Sequence, residues 1–243
     1  MQMVRHIPNF LTSLNVLCGT LAVFFAVTGF PQWSIWLIFA GALFDFSDGF
    51  AARALKAYSE IGKELDSLAD LISFGVAPAA IWSAIMKYQL TGSFAVPFFE
   101  LTLHQQIWVL LPFIMVAFAA LRLAKFNVDT RQTENFLGLT TTATGIFTAA
   151  FAYSFIDHSE WFNWLSPVVI CVAIAFFSMM LVSEVPMSSL KFKNLKWKEN
   201  KERFILLLLA IVFIALLGVG GIAALILYYV IVSIAKWILK IKS

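Results

Sequence analysis

Eight apolar stretches, most of them near the length needed to cross a bilayer, dominate this chain. They fall at residues 10–29, 33–55, 67–88, 106–125, 140–156, 163–183, 204–218 and 220–238. A helix needs about 20 apolar residues to cross the hydrocarbon core. In that medium every backbone polar group must be satisfied internally, which leaves helices as the natural solution. The expected fold is therefore all-α, a polytopic integral membrane bundle of about eight transmembrane helices. Charge usage agrees: 13% of residues are charged, against about 25% in soluble domains, and the mean hydropathy is +0.87. A soluble enzyme is excluded, and no nucleic-acid partner is expected. Cys18 and Cys171 both lie in apolar runs, so no disulfide framework is indicated. The first apolar run carries one basic residue ahead of it, Arg5, and no small-residue cleavage site after it. It reads as a retained span.

Charge placement orients the bundle. Segments seven and eight are separated by Gly218-Val219-Gly220-Gly221, a turn signal. Read as one helix they would run to about 35 residues, too many for a single span. With the N-terminus in the cytoplasm, every Lys and Arg except Lys87 falls on the cytoplasmic side. These are Arg5, Arg53, Lys56, Lys63, Arg122, Lys125, Arg131, the run from Lys191 to Arg203, Lys236, Lys240 and Lys242. Both termini are then cytoplasmic, and the setting is the cytoplasmic membrane. Three regions are expected: six spans over 1–185, a basic juxtamembrane segment over 186–203, and two further spans over 204–243. In the basic segment Phe192, Leu195 and Trp197 can dip into the interface while the lysines meet anionic headgroups. The plainer reading is a loop that fixes topology. Trp33, Trp36, Trp108, Trp161, Trp164 and Trp237 fall near span ends, as interface anchors do. His6, His104 and His158 are scattered and form no metal set.

Spans two and three carry the anomaly. Asp45, Asp48, Asp66 and Asp70 sit in otherwise apolar sequence. An ionised Asp near a span centre costs about 2.5–3.5 kcal/mol, so four cost on the order of 10 kcal/mol. On a helix, Asp45, Asp48, Gly49 and Ala52 share one face, and so do Gly62, Asp66, Asp70 and Ser73 on the next span. The polar stretch from Lys56 to Glu60 supplies a turn, so a helical hairpin brings the two carboxylate pairs together. Carboxylate oxygens suit Mg²⁺, Mn²⁺ or Ca²⁺ rather than zinc. Two bridged ions would bind a pyrophosphate and stabilise charge in an in-line displacement. Gly49 and Ala52 leave room for a flat group against the backbone. The competing reading pairs the aspartates with Arg53, Lys56 and Lys63 in a solvated charge network.

The pattern Asp-x2-Asp-Gly-x2-Ala-Arg-x8-Gly-x3-Asp-x3-Asp, from Asp45 to Asp70, resembles the signature of the CDP-alcohol phosphotransferase family. That resemblance implies cleavage of the pyrophosphate of a CDP-linked lipid or alcohol, with release of CMP. It implies metal ligation of two Mg²⁺ or Mn²⁺ ions by Asp45, Asp48 and Asp66, with Asp70 as the general base that also reaches the metal centre. It implies CDP-lipid contacts from Asp48, Gly49, Ala52, Arg53 and Gly62, and a homodimer. Flanking residues narrow the branch. Ile7-Pro8-Asn9-Phe10-Leu11-Thr12, the run from Leu65 to Ala79, Leu121-Arg122-Leu123-Ala124-Lys125-Phe126-Asn127 and Phe136-Leu137-Gly138-Leu139-Thr140 resemble the serine-accepting members. The implied partners are CDP-diacylglycerol, L-serine and membrane lipids. Lys125 and Thr140 depart from the arginine and proline expected there.

Serine is a small zwitterion and needs a cation for its carboxylate. Arg122, Lys125 and Asn127, at the cytoplasmic end of span four, are the candidates for holding serine or a lipid phosphate. Asn9 and Thr12, followed at helical spacing by Asn15, are candidates for headgroup or nucleotide contact. Pro78 predicts a kink in span three that opens the cavity. Two rival readings stand beside this one: another acceptor such as glycerol 3-phosphate or inositol phosphate, and a cation transporter built on the same aspartates.

Overall fold

The structure is a computed structural model that describes residues 6–129, 136–187 and 197–239, leaving aside the side chains of 197–199 and 202. Expectations placed on Arg5, Arg131, residues 191–196, the side chains of Trp197 and Lys198, Lys240 and Lys242 lie outside the described residues.

All eight apolar segments are helical. α1 spans Ile7–Val27 and α2 spans Pro31–Ala54, each with proline in its first turn, where the missing N–H is harmless. The third span is composite: α3 (Glu60–Asp70), a π-helical turn (Leu71–Val76) and α4 (Ala77–Thr91). The fourth joins α5 (Leu103–Leu110) through a 3-10 turn at Leu111–Phe113 to α6 (Ile114–Val128). α7 (Thr141–Asp157), α8 (Pro167–Val182), α9 (Trp197–Leu217) and α10 (Gly220–Ile238) follow. Five of these stretches are long and apolar enough to cross a membrane, whereas Pro167–Val182 and Arg203–Leu217 are shorter apolar helices. The chain is an all-α polytopic membrane protein.

The composite third span is the axis of the bundle: 72% of its apolar window is buried, against 22–28% in the other four spans. Small residues let its neighbours close on it. α1 buries Thr12, Asn15, Cys18, Gly19, Ala22 and Ala26, a stripe at helical spacing, and turns Phe10, Leu17 and Phe24 outward. A Cβ on Gly19 would lie 2.7 Å from Ser73 Cα, and one on Gly145 of α7 would lie 3.1 Å from Phe74 Cα. Backbone approach of this kind is how membrane helices gain dispersion contact. Farther along, the Trp82 indole donates to Thr148 Oγ1 at 3.2 Å and ties α4 to α7.

Pro78 sits as expected inside the third span, but the irregularity lies on its N-terminal side. The Ala77 N–H donates to Ile72 O, five residues back, and the widened turn absorbs the donor that Pro78 lacks. The turn begins directly after Asp70.

Two short strands, one after α6 and one after α8, pair with each other. β1 (Phe136–Leu137) pairs antiparallel with β2 (Pro186–Met187), Phe136 facing Met187. Gly138 follows at φ +74°, where a Cβ would also meet Ser183 O at 2.7 Å. α9 and α10 form a hairpin through Gly218 (φ +58°), so residues 204–238 are two helices, as the glycine-rich turn predicts.

Candidate active site

The hairpin between α2 and α3 is closed by two caps. At the end of α2 the Ala57 N–H bonds to Ala52 O (3.0 Å) and the Lys56 N–H to Arg53 O (3.3 Å). This is a Schellman pattern with Lys56 at its left-handed position, φ +51°. Ser59 then caps α3, its hydroxyl accepting from the Gly62 N–H at 3.0 Å. The short turn leaves the acidic faces of both helices side by side.

Asp45, Asp48 and Asp66 each bring one carboxylate oxygen within 4.8 Å of the other two. Two like charges 4.8 Å apart repel by roughly 3.5 kcal/mol at an effective dielectric of 20. A bound cation removes the repulsion, and an all-carboxylate donor set selects a hard one. These three residues could hold such an ion. Asp48, 5% exposed, is oriented by Thr12, whose Oγ1 lies 2.5 Å from Asp48 Oδ2 and 3.0 Å from Pro8 O.

Asp70, one turn past Asp66, stands outside the three-oxygen group but feels the charges of Asp45, Asp66 and Asp48. Its Oδ1 is buried without a hydrogen-bond partner. Both polar atoms of Asn15 are buried and unpartnered too, and Ser73 Oγ donates to the Asn15 carbonyl at 2.9 Å. Native interiors leave few such atoms unsatisfied, so unpaired polar atoms on the floor of an acidic site mark a place for a polar ligand or water.

Above the carboxylates opens a cleft of about 230 Å³. Asp48, Gly49, Ala52, Arg53, Gly62 and Asp66 line it, with Asn9 and Thr12 of α1 on the facing wall. The structure thus brings together every residue that the motif implies for the CDP-lipid. Gly62 has no room to be larger: a Cβ would meet Ser59 Oγ at 2.9 Å and Asn9 Oδ1 at 3.0 Å. Arg53 folds back so that its guanidinium would lie 3.4 Å from a Cβ on Gly49. Pro8, Ala57, Tyr58, Ser59 and Lys63 also line the cleft and were not among the expected contacts. Their signal was position alone, because a turn that closes a hairpin over two acidic faces must wall the space between them.

The α6 residues behave differently. Arg122 is 4% exposed, donates from Nε to Leu139 O at 3.3 Å and lies over the Phe126 ring at 5.3 Å. Lys125 Nζ donates to Val182 O at 3.4 Å. Asn127 Nδ2 donates to Ser67 Oγ at 2.9 Å, and the Asn127 carbonyl accepts from Lys63 Nζ at 3.3 Å. None of the three lines the cleft. Asn127 reaches it at one remove, through Lys63. Two of the histidines are engaged elsewhere: His104 Nε2 accepts from Trp108 at 3.0 Å, and His158 stacks on Trp161.

Comparison with known proteins agrees with this geometry. The chain is 29% identical over 182 residues to the CDP-diacylglycerol–serine O-phosphatidyltransferase of Bacillus subtilis, covering 75% of this chain and 89% of that one. It is 28% identical over 241 residues to the enzyme of the same name from Helicobacter pylori, covering 95% and 90%. It is 30% identical over 182 residues to the archaetidylserine synthase of Methanothermobacter thermautotrophicus, covering 74% and 68%. Residues 5–177 match the family described as CDP-alcohol phosphatidyltransferase. That range takes in the whole acidic hairpin and most of the chain, and the chain belongs to the CDP-alcohol phosphatidyltransferase family.

Proposed function

We propose that this chain transfers the phosphatidyl group of CDP-diacylglycerol to the hydroxyl of L-serine, giving phosphatidylserine and CMP. The observation that carries the reading is the convergence of three carboxylates from two helices to within 4.8 Å, under a cleft walled by glycine and alanine. Serine as acceptor is supported by the relatives' names: the lipid differs between the bacterial and archaeal proteins, while serine recurs.

The chain's residues divide the work. Gly49, Ala52 and Gly62 let the nucleotide and its phosphates approach backbone, and Arg53 and Lys63 offset phosphate charge. Asp70 accepts the serine hydroxyl proton as the new P–O bond forms and the pyrophosphate P–O bond to CMP breaks. Asp45, Asp48 and Asp66, with Asp70 at their edge, would hold two Mg²⁺ or Mn²⁺ ions, which supply charge neutralisation on the pyrophosphate. Thr12 fixes which oxygen Asp48 turns into the site. Serine's carboxylate meets Lys63, positioned by Asn127, in the positive field of Arg122 and Lys125, and Asn9 completes the facing wall.

In this reading residues 1–185 are the catalytic unit, 186–203 the basic juxtamembrane segment and 204–243 an added helical pair. The site and both termini face the cytoplasm, which is supported by Lys87 being the lone Lys or Arg outside the cytoplasmic set. The assembly is a homodimer. Transport of a cation is disfavoured because fully buried Phe74, Ile81, Trp82 and Ile85 fill the axis beyond Ser73, leaving the carboxylates reachable from one end.

The test is direct. The purified full chain with Mg²⁺ or Mn²⁺ and CDP-diacylglycerol should release CMP with serine, and much more slowly with glycerol 3-phosphate or inositol phosphate. Absence of serine-dependent release with either metal overturns the reading.

A further inference from the structure

Lys87 is the one cation that the orientation argument leaves on the far side, and the catalytic site makes no use of it. It lies 17 residues past Asp70 on the axial span, about 25 Å away at 1.5 Å per residue. It is one turn short of the α4 end at Thr91, near the opposite mouth of the bundle. It is 7% exposed. Among the described residues no carboxylate lies within ion-pairing distance of it.

Its surroundings are almost wholly apolar. Lys87 lines a cavity of about 270 Å³ with Ala26, Val27, Ala84, Val109 and Phe113 among its neighbours. The other polar side chain there is Ser83, whose hydroxyl is already committed to Val109 O at 2.7 Å. Val27 and Leu110, 50% and 52% exposed, form the outer lip of the cavity. Phe99, 92% exposed, projects from the neighbouring 3-10 turn Phe98–Glu100, as interface aromatics do.

An ammonium buried in apolar walls is strongly disfavoured unless an anion pairs with it. Nothing described in the chain supplies that anion, and the half-exposed Val27 and Leu110 leave the cavity reachable from the outer face of the apolar helices. We propose that this end of the protein binds one net-anionic phospholipid, with its phosphate on Lys87 and the start of an acyl chain in the cavity. A zwitterionic lipid fits less well, because its own cationic group needs an acceptor in the cavity. Ser83 is occupied, and Glu100 is solvent-exposed and does not line the space.

The experiment uses the full chain purified in mild detergent, titrated with dioleoylphosphatidylglycerol or dioleoylphosphatidylcholine and read by native mass spectrometry. Wild type should retain one more phosphatidylglycerol than Lys87→Met at a given detergent level, with tenfold or more difference in apparent Kd. Lys87→Arg should keep the lipid. Val27→Trp, a change at the exposed lip that leaves Lys87 intact, should lose it, so the test does not depend on Lys87→Met folding. Equal retention by wild type and Val27→Trp, or equal retention of the two headgroups, overturns the proposal.

Discussion

The two ends of the third span solve opposite electrostatic problems with different means. At the Asp70 end four like charges are crowded together, and the helices around them carry glycine and alanine, so polar ligand can reach the backbone. At the Lys87 end one charge stands alone among alanine, valine and phenylalanine, with nothing polar to spare. The first arrangement demands a small, highly charged cation and a large polar substrate. The second can accept one anionic group and little else. The burial of a charge thus says less about function than the number of its neighbours and what room they leave.

Chelation should separate the two ends most sharply. Prolonged EDTA treatment is expected to take serine-dependent CMP release to background, with recovery on adding Mg²⁺ or Mn²⁺. Phosphatidylglycerol retention at Lys87 should not change in the same samples. Loss of both would mean that the ions hold the whole bundle together, and the contrast between the ends would collapse.

Asp70→Asn comes next. It keeps the shape and removes the proton acceptor, so kcat should fall by about 10²–10⁴-fold, while CDP-diacylglycerol binding, measured by ligand-induced thermal shift, persists. Retained turnover would leave Asp70 as a structural acid. Thr12→Val tests the next layer. It removes the hydroxyl that holds Asp48 without removing a carboxylate, and losses of about 10–100-fold in metal affinity or rate are expected for such support. A Mg²⁺ titration should show a raised half-saturation concentration; an unchanged curve would mean that Asp48 orients itself.

How much of this was legible in the sequence differs between the same regions. The acidic hairpin could be read because its signal is local: Asp45, Asp48, Asp66 and Asp70 lie within 26 residues at helical spacing, and a five-residue polar turn fixes their relation. The eight apolar segments that are helical among the described residues were legible from hydropathy for the same reason. The partners of Arg122 and Lys125 were not. Leu139 O and Val182 O are backbone atoms distant in sequence, brought near by the β1–β2 pairing, and backbone acceptors leave no trace in residue type. The π turn at Leu71–Val76 was half-legible: Pro78 announces a missing donor, but the close approach of Gly19 to Ser73 and of Gly145 to Phe74 within that turn is tertiary and leaves no local signal. Lys87 was visible as an outlier of charge placement, and only the cavity around it gave that a meaning.

The smallest effect concerns the turn that makes the acidic end possible. Lys56 is, among the described residues, the one non-glycine at positive φ, at the position where a Schellman cap ordinarily has glycine. A side chain in that conformation costs roughly 1–2 kcal/mol, part of which glycine gives back through the greater freedom of the unfolded chain. Lys56→Gly should therefore stabilise the protein by up to about 1 kcal/mol, read as a rise of about 2–4 °C in Tm. Lys56 does not line the cleft, so kcat should stay within about twofold. Gly62→Ala in the first turn of α3 should do the reverse: no conformational strain is relieved, and the new methyl meets Ser59 Oγ and Asn9 Oδ1 inside the cleft. If Lys56→Gly lowered activity as much as Gly62→Ala, the ammonium of Lys56 would have to reach the substrate, and the turn would be part of the site rather than its hinge.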